Sequence, residues 1–120
     1  MTETVNGASH LVSTKVKSSA NWNDRRKFDV NFTIEFDIDN VQNTKFAIYD
    51  IGTTPNWLLY NGHYKIIVTA TEVDCFRNGA RISGFPKTVE ATQGSVGFID
   101  AGSNVTMSFR YKNFVVYEIQ

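Results

Sequence analysis

The chain has 120 residues, 42% hydrophobic and 13% aromatic, with twelve basic and twelve acidic residues that leave a formal net charge of zero. That length suits one domain with a packed core. The balanced charge supplies no electrostatic footprint for nucleic acid or an anionic membrane surface, and no apolar run reaches the length of a membrane span.

Residues 1–10 are polar and read as an N-terminal arm, flexible or bound to an assembly, ahead of a domain over 11–120. LVSTKVK (11–17) reads as a short first strand. SSANWNDRRK (18–27), polar and holding Trp22, reads as a turn. FDVNFTIEFDI (28–38) is the strongest strand signal, because Phe28, Val30, Phe32, Ile34, Phe36 and Ile38 alternate with polar residues throughout. DNVQNT (39–44) follows as a turn, KFAIYDI (45–51) as a strand and GTTPNW (52–57) as a loop marked by Gly52 and Pro55. After the short apolar WLLY, Asn61-Gly62 is a hairpin signal, since both residues tolerate the positive φ of a type I′ turn. HYKIIVTAT (63–71) is the next strand. VDCFR and ARISG flank a second hairpin signal, Asn78-Gly79. GFPKTVEATQGS (84–95) is a longer connection. VGFID (96–100) and two strands near 104–111 and 113–119 close the chain. About eight to ten short strands with no sustained helical period predict an all-β, antiparallel β-sandwich or jelly roll. The expected core is the alternating row with Phe46, Ile48, Ile66 and Val68.

The order of signals resembles the concanavalin A-like sandwich of legume-type lectins, laminin G-like domains and many carbohydrate-binding modules. FTIEFDID comes early, NGHYKIIVTATEVDCFRNGARI would be the sheet-crossing strand and its hairpin, and VGF with YKNFVVYEI the last two strands. The resemblance covers roughly residues 28–119 and implies sugar binding. Similar modules occur in phage tail and surface proteins.

Some sandwiches of that family are glycoside hydrolases with a Glu-x-Asp-x-(x)-Glu row, and EFDID (35–39) is close to it. A retaining glycosidase needs carboxyl groups about 5–5.5 Å apart, and same-face neighbours on a strand have Cα atoms roughly 6.6–6.8 Å apart. Glu35 with Asp37 is therefore admissible. Against it, the last carboxylate is Asp39 beside the turn residue Asn40, and the same row continues through Thr33, Asn31 and Asp29. The row reads as the wet side of a strand.

Aromatic rings stack on the apolar face of sugars, and amides and imidazoles hydrogen-bond the hydroxyls. Trp57, with Tyr60, Asn61 and His63, supplies both within seven residues, and Trp22 in NWND has similar composition. The competing reading is that Trp57 plugs one end of the sandwich. His10 and His63 have no metal-ligand spacing. Asp24, Asp37, Asp39 and Asp100 could donate oxygens to the calcium ion that concanavalin-like modules often hold, but none has calcium-loop spacing. The expectation is therefore no metal and no cofactor. Cys75, the single cysteine, excludes an internal disulfide and reads as a buried, inert thiol. With no nucleophile elbow, nucleophilic catalysis finds no support, and the N-terminus lacks the pattern of a secretory signal.

These readings predict a non-enzymatic carbohydrate-binding or adhesion module. Its expected partners are a cell-surface glycan or polysaccharide and other subunits of a larger assembly, such as a phage tail or capsid appendage, in a virion or at an extracellular surface. The alternatives are a structural or decoration protein of a virion without a small ligand, and a minimal glycoside hydrolase using Glu35 and Asp37.

Overall fold

A computed structural model describes the backbone of residues 9–12, 15–18, 22–101 and 108–118, with side chains for 27–99, 101, 109–111 and 113–116. The strands are β1 (Ser9–Val12), β2 (Lys15–Ser18), β3 (Trp22–Asp29), β4 (Phe32–Gln42), β5 (Thr44–Tyr49) and β6 (Asn56–Leu58). They continue as β7 (Gly62–Val68), β8 (Glu72–Arg77), β9 (Ala80–Arg81), β10 (Lys87–Thr88), β11 (Gln93–Asp100) and β12 (Ser108–Glu118). No helix occurs among the described residues. The fold is an all-β antiparallel sandwich, as the alternation and turn spacing predict.

The larger sheet runs β1-β12-β4-β7-β8-β10, with β2 also on β12 and β9 also on β8. The smaller runs β3-β11-β5-β6. β4 lies between β12 and β7, so its eleven residues form the spine of the larger sheet. Its even-numbered side chains Phe32, Ile34, Phe36 and Ile38 are buried, because a strand sends successive side chains to opposite faces. Phe36 sits amid rings from both sheets, with centroids at 5.3 Å to Phe46, 5.4 Å to Tyr64, 5.5 Å to Phe98 and 5.3 Å to Phe114. Such stacked and edge-to-face contacts add to the area each ring removes from water.

The expected core is buried, with one qualification: Val30 only packs partly against it. The 28–38 run is also not one strand. The chain leaves the smaller sheet after Asp29 and enters the larger one at Phe32, anchored between them by the Val30 N–H donating to the Thr92 carbonyl at 3.0 Å. Phe28 and Phe32 thus meet from opposite sheets, their rings 5.7 Å apart. Burial alternation alone could not separate one strand from two that face the same core.

Other boundaries shift as well. Polar WNDRRK is strand, forming β3 against β11. The first strand divides into β1 and β2, and Ser9 and His10 pair with Tyr117 and Val116. The rest of the expected arm, residues 1–8, lies outside the described residues. The turn expected over 39–44 narrows to Asn43, at φ 50°. The last two expected strands merge into β12, whose register against β4 slips between Lys112 and Val115, where Asn113 has φ 55°. The 104–107 part of that expectation lies outside the described residues. Asn78-Gly79 forms the expected hairpin, with φ 52° and 84°. Asn61-Gly62 does not. β6 and β7 belong to different sheets, and of the two residues Gly62 alone has positive φ, 145°.

Candidate functional site

The outward row of β4 carries Glu35, Asp37 and Asp39. β7 lies beside it in a register that sets Asp37 opposite His63 and Glu35 opposite Lys65. The imidazole of His63 lies across the two carboxylates. Its Nδ1 is 2.8 Å from Asp37 Oδ1 and its Nε2 is 3.0 Å from Glu35 Oε1. Both ring nitrogens therefore face acceptors, which suits the imidazolium with two N–H donors. Burial pulls the His63 pKa down, but the hydrogen bonds to Asp37 and then Glu35, with their charges, outweigh it and the net direction is up.

On the other side, the irregular stretch of β12 lets Asn113 Nδ2 donate to Asp37 Oδ2 at 3.1 Å. Arg110 holds Asp39 with two bonds, at 2.8 and 2.9 Å. Each carboxylate of the row thus has side-chain partners. Thr33, which alternation assigns to the same wet face, is buried at 4% exposure. The wet-side reading holds for Asp29, Asn31, Glu35, Asp37 and Asp39 and fails at Thr33, and the last three carboxylates are tied into a network across three strands. The His63 imidazole, set between Glu35 and Asp37, lies where a retaining pair would need room for a glycosidic bond.

Two shallow grooves open nearby. The first, about 350 Å³, lies on the outer face and is lined by His63, Lys65, Ile67, Phe76 and Gly79. Ile67 and Phe76 give it an apolar floor, and the Arg81 guanidinium lies 5.3 Å from the Phe76 ring centroid. The second, about 260 Å³, lies where β6 of the smaller sheet faces the β8–β9 hairpin, and Leu58, Tyr60, Tyr64, Arg77 and Arg81 are among its walls.

The structure divides the cluster that the sequence places together. His63 joins the carboxylate network and the first groove. Tyr60 is 58% exposed, joins the second groove and lies 5.8 Å from the Arg77 guanidinium. Asn61 is a local tether. Its Oδ1 accepts the Val41 N–H at 3.1 Å and its carbonyl accepts Arg77 Nε at 2.9 Å. Trp57 points inward and packs on Phe46 at 5.6 Å and Phe85 at 5.0 Å. Its indole N–H is buried and reaches no acceptor at hydrogen-bond distance, although it is near enough to the Cys75 thiol to ease that group's ionisation slightly. Trp22 begins β3 opposite Phe98, but its side chain lies outside the described residues, as do those of His10, Asp24 and Asp100.

Cys75 faces the core, where burial and then the neighbouring Asp74 charge push its pKa up to about 12. Among the described residues no group of three or more His, Cys, Asp or Glu side chains is placed to hold a metal ion. Sequence reasoning missed the His63 bridge, the Arg110 and Asn113 partners and Phe76. The pairing of β4 with β7 and β12 brings His63, Arg110 and Asn113 to the carboxylates across 26 to 76 residues of chain, and the pairing of β7 with β8 sets Phe76 opposite Lys65. No local pattern encodes that pairing.

No protein-family model and no curated protein matches the chain. Among solved structures, it is similar to a protein from Parabacteroides distasonis described as a "putative glycosyl hydrolase", with a TM-score of 0.55 and 13% identity, covering 82% of this chain and 68% of that one. At that identity the likeness is one of fold. It displaces the expectation of an adhesion module in a phage tail or capsid appendage, and that of a virion decoration protein. The neighbour is described as a carbohydrate enzyme, and nothing in the likeness points to a virion or to adhesion. No described helix is long and apolar enough to cross a membrane.

Proposed function

We propose that the chain has a carbohydrate-related role and meets its saccharide on the outer face of the larger sheet. The observation that carries this reading is the first groove. Phe76 and Ile67 offer an apolar floor to the CH face of a sugar ring, while the Lys65 ammonium stands beside it as a hydrogen-bond donor and His63, held by Glu35 and Asp37, forms a wall. The likeness in fold to the Parabacteroides protein supports the reading. So does the long central β4 with the C-terminal β12 alongside, an arrangement that also favours the finer assignment to the concanavalin-like sandwiches. In this reading Glu35 and Asp37 hold His63 in place and perform no hydrolysis.

A panel of neutral oligosaccharides titrated into the labelled protein tests it. Saturable shifts at His63, Ile67 and Phe76 are expected, and Phe76→Ala should weaken binding about tenfold, as loss of an aromatic anchor does. A panel that leaves these resonances unmoved overturns the proposal. Release of reducing sugar that Glu35→Gln abolishes would overturn its non-hydrolytic part.

A further inference from the structure

Leu58, at 41%, and Tyr60, at 58%, are the large hydrophobic side chains left exposed among the described residues, and both line the second groove. Two arginines reach the same groove, and their situations differ. Arg81 is matched by Asp74, with Nε at 3.0 Å from Oδ1 and Nη2 at 2.6 Å from Oδ2. Arg77 pairs with no carboxylate among the described residues. Its Nε and Nη2 instead donate to the Asn61 carbonyl, a dipole and not a charge. That anchor fixes the guanidinium beside the Tyr60 ring, 5.8 Å from its centroid. None of the lining side chains is acidic. The groove thus presents a held, unmatched cation next to an exposed aromatic ring and an exposed Leu.

We infer that this groove is a second saccharide site, selective for an acidic sugar unit whose carboxylate meets Arg77 and whose ring lies against Tyr60 and Leu58. Arginine suits a planar carboxylate, because its donors lie in one fork. The volume, about 260 Å³, is below the usual range for extended ligands and suits a single ring. A carboxylate there gains a partner without displacing an existing ion pair, whereas at Arg81 it would compete with Asp74. The inference rests on the proposed carbohydrate role but uses a different surface from the first groove.

The test titrates a galacturonic acid trisaccharide and its carboxyl-reduced counterpart into the ¹⁵N-labelled protein. The acidic probe is expected to shift Tyr60, Arg77 and their neighbours, to bind more weakly as salt is raised, and to lose about tenfold in affinity with Arg77→Gln. Because Arg77 also tethers Asn61, Tyr60→Ala is the second variant. Its exposed ring can be removed without touching the core, and a similar loss is expected. Equal affinity for the carboxyl-reduced probe, unchanged affinity in Arg77→Gln and Tyr60→Ala, or no shift with the acidic probe each overturns the inference. Shifts at His63 and Phe76 with neutral sugars, alongside a silent Tyr60, would leave the outer-face proposal standing and remove this one. The reverse pattern would remove only the outer-face proposal.

Discussion

Asn61-Gly62 and Asn78-Gly79 carry the same two residues, yet the second turns β8 back on itself while the first takes the chain from one sheet to the other. At 78–79 both residues have positive φ and the partner strands share an edge of the larger sheet. At 61–62 the glycine alone does so, at a φ of 145° that L side chains rarely adopt. What differs is the burial demand on either side. Beyond Gly62, Tyr64, Ile66 and Val68 all face the core and pair along β4, while Leu59 is buried just before the crossing. A dipeptide that tolerates positive φ permits a reversal, and the flanking apolar pattern decides whether one occurs.

The two segments also hold each other. The Asn78 N–H donates to the His63 carbonyl at 2.7 Å, the His63 N–H donates to Asn78 Oδ1 at 2.9 Å, and Arg77 donates to the Asn61 carbonyl. The hairpin tip thus closes over the crossing, and both candidate grooves take walls from this junction.

Four changes would break or sharpen the contrast. The core on which both segments rest sets the upper mark: Phe36→Ala should cost about 3–5 kcal/mol in denaturant unfolding, as loss of a buried aromatic does. An unchanged midpoint would mean that the inward row is misassigned. Gly62→Ala comes next, at about 2–3 kcal/mol, because strained φ and crowding act together. A Cβ there would lie 2.9 Å from Asn78 Oδ1, so relief by moving that amide would cost the His63 N–H its acceptor. Gly79→Ala should cost less, about 1–2 kcal/mol from the left-handed backbone alone, since nothing lies within 4 Å of its Cβ position. Equal losses in the two glycine variants would show that the junction does not distinguish the turns.

The smallest effect is in pH. With the folded His63 pKa raised above about 6.5, its interaction with Glu35 and Asp37 contributes fully below the unfolded value and is lost as pH rises through the folded one. His63 is 45% exposed, so solvent screening limits the contribution to under about 1 kcal/mol. His63→Gln should flatten the stability profile in that window. A slope that survives the substitution would assign it to another group.

The sheet architecture was legible because strand alternation is strict where one face is buried. Phe32 to Ile38, Phe46 with Ile48, and Ile66 with Val68 all point as their spacing predicts. The Asn78-Gly79 turn was legible because its chemistry is local. The site was not. Trp57, grouped with His63 by proximity in sequence, faces the opposite way, because β6 and β7 lie in different sheets and the chain crosses between them. Arg110 and Asn113 come from the far end of the chain, and a β12 register slip sets Asn113 beside Asp37. Charged WNDRRK concealed a strand because β3 is an edge among the described strands, paired there only with β11, where charge is tolerated and guards against further pairing.

The pairing of β12 has a consequence for handling the protein. One margin of this eleven-residue strand belongs to β4, and the other is capped by two four-residue pieces, β1 over Phe114–Tyr117 and β2 over Ser108–Tyr111. At the far side, the sheet ends in two-residue strands too short to template another chain. β1 and β2 therefore act as a removable seal on the longest ribbon of backbone that the sheet could offer a neighbour. Trimming them, by protease or by choice of cloning boundary, would convert a closed margin into an open one. The outcome to watch for is concentration-dependent light scattering from the shortened chain while the untrimmed 120-residue chain stays clear.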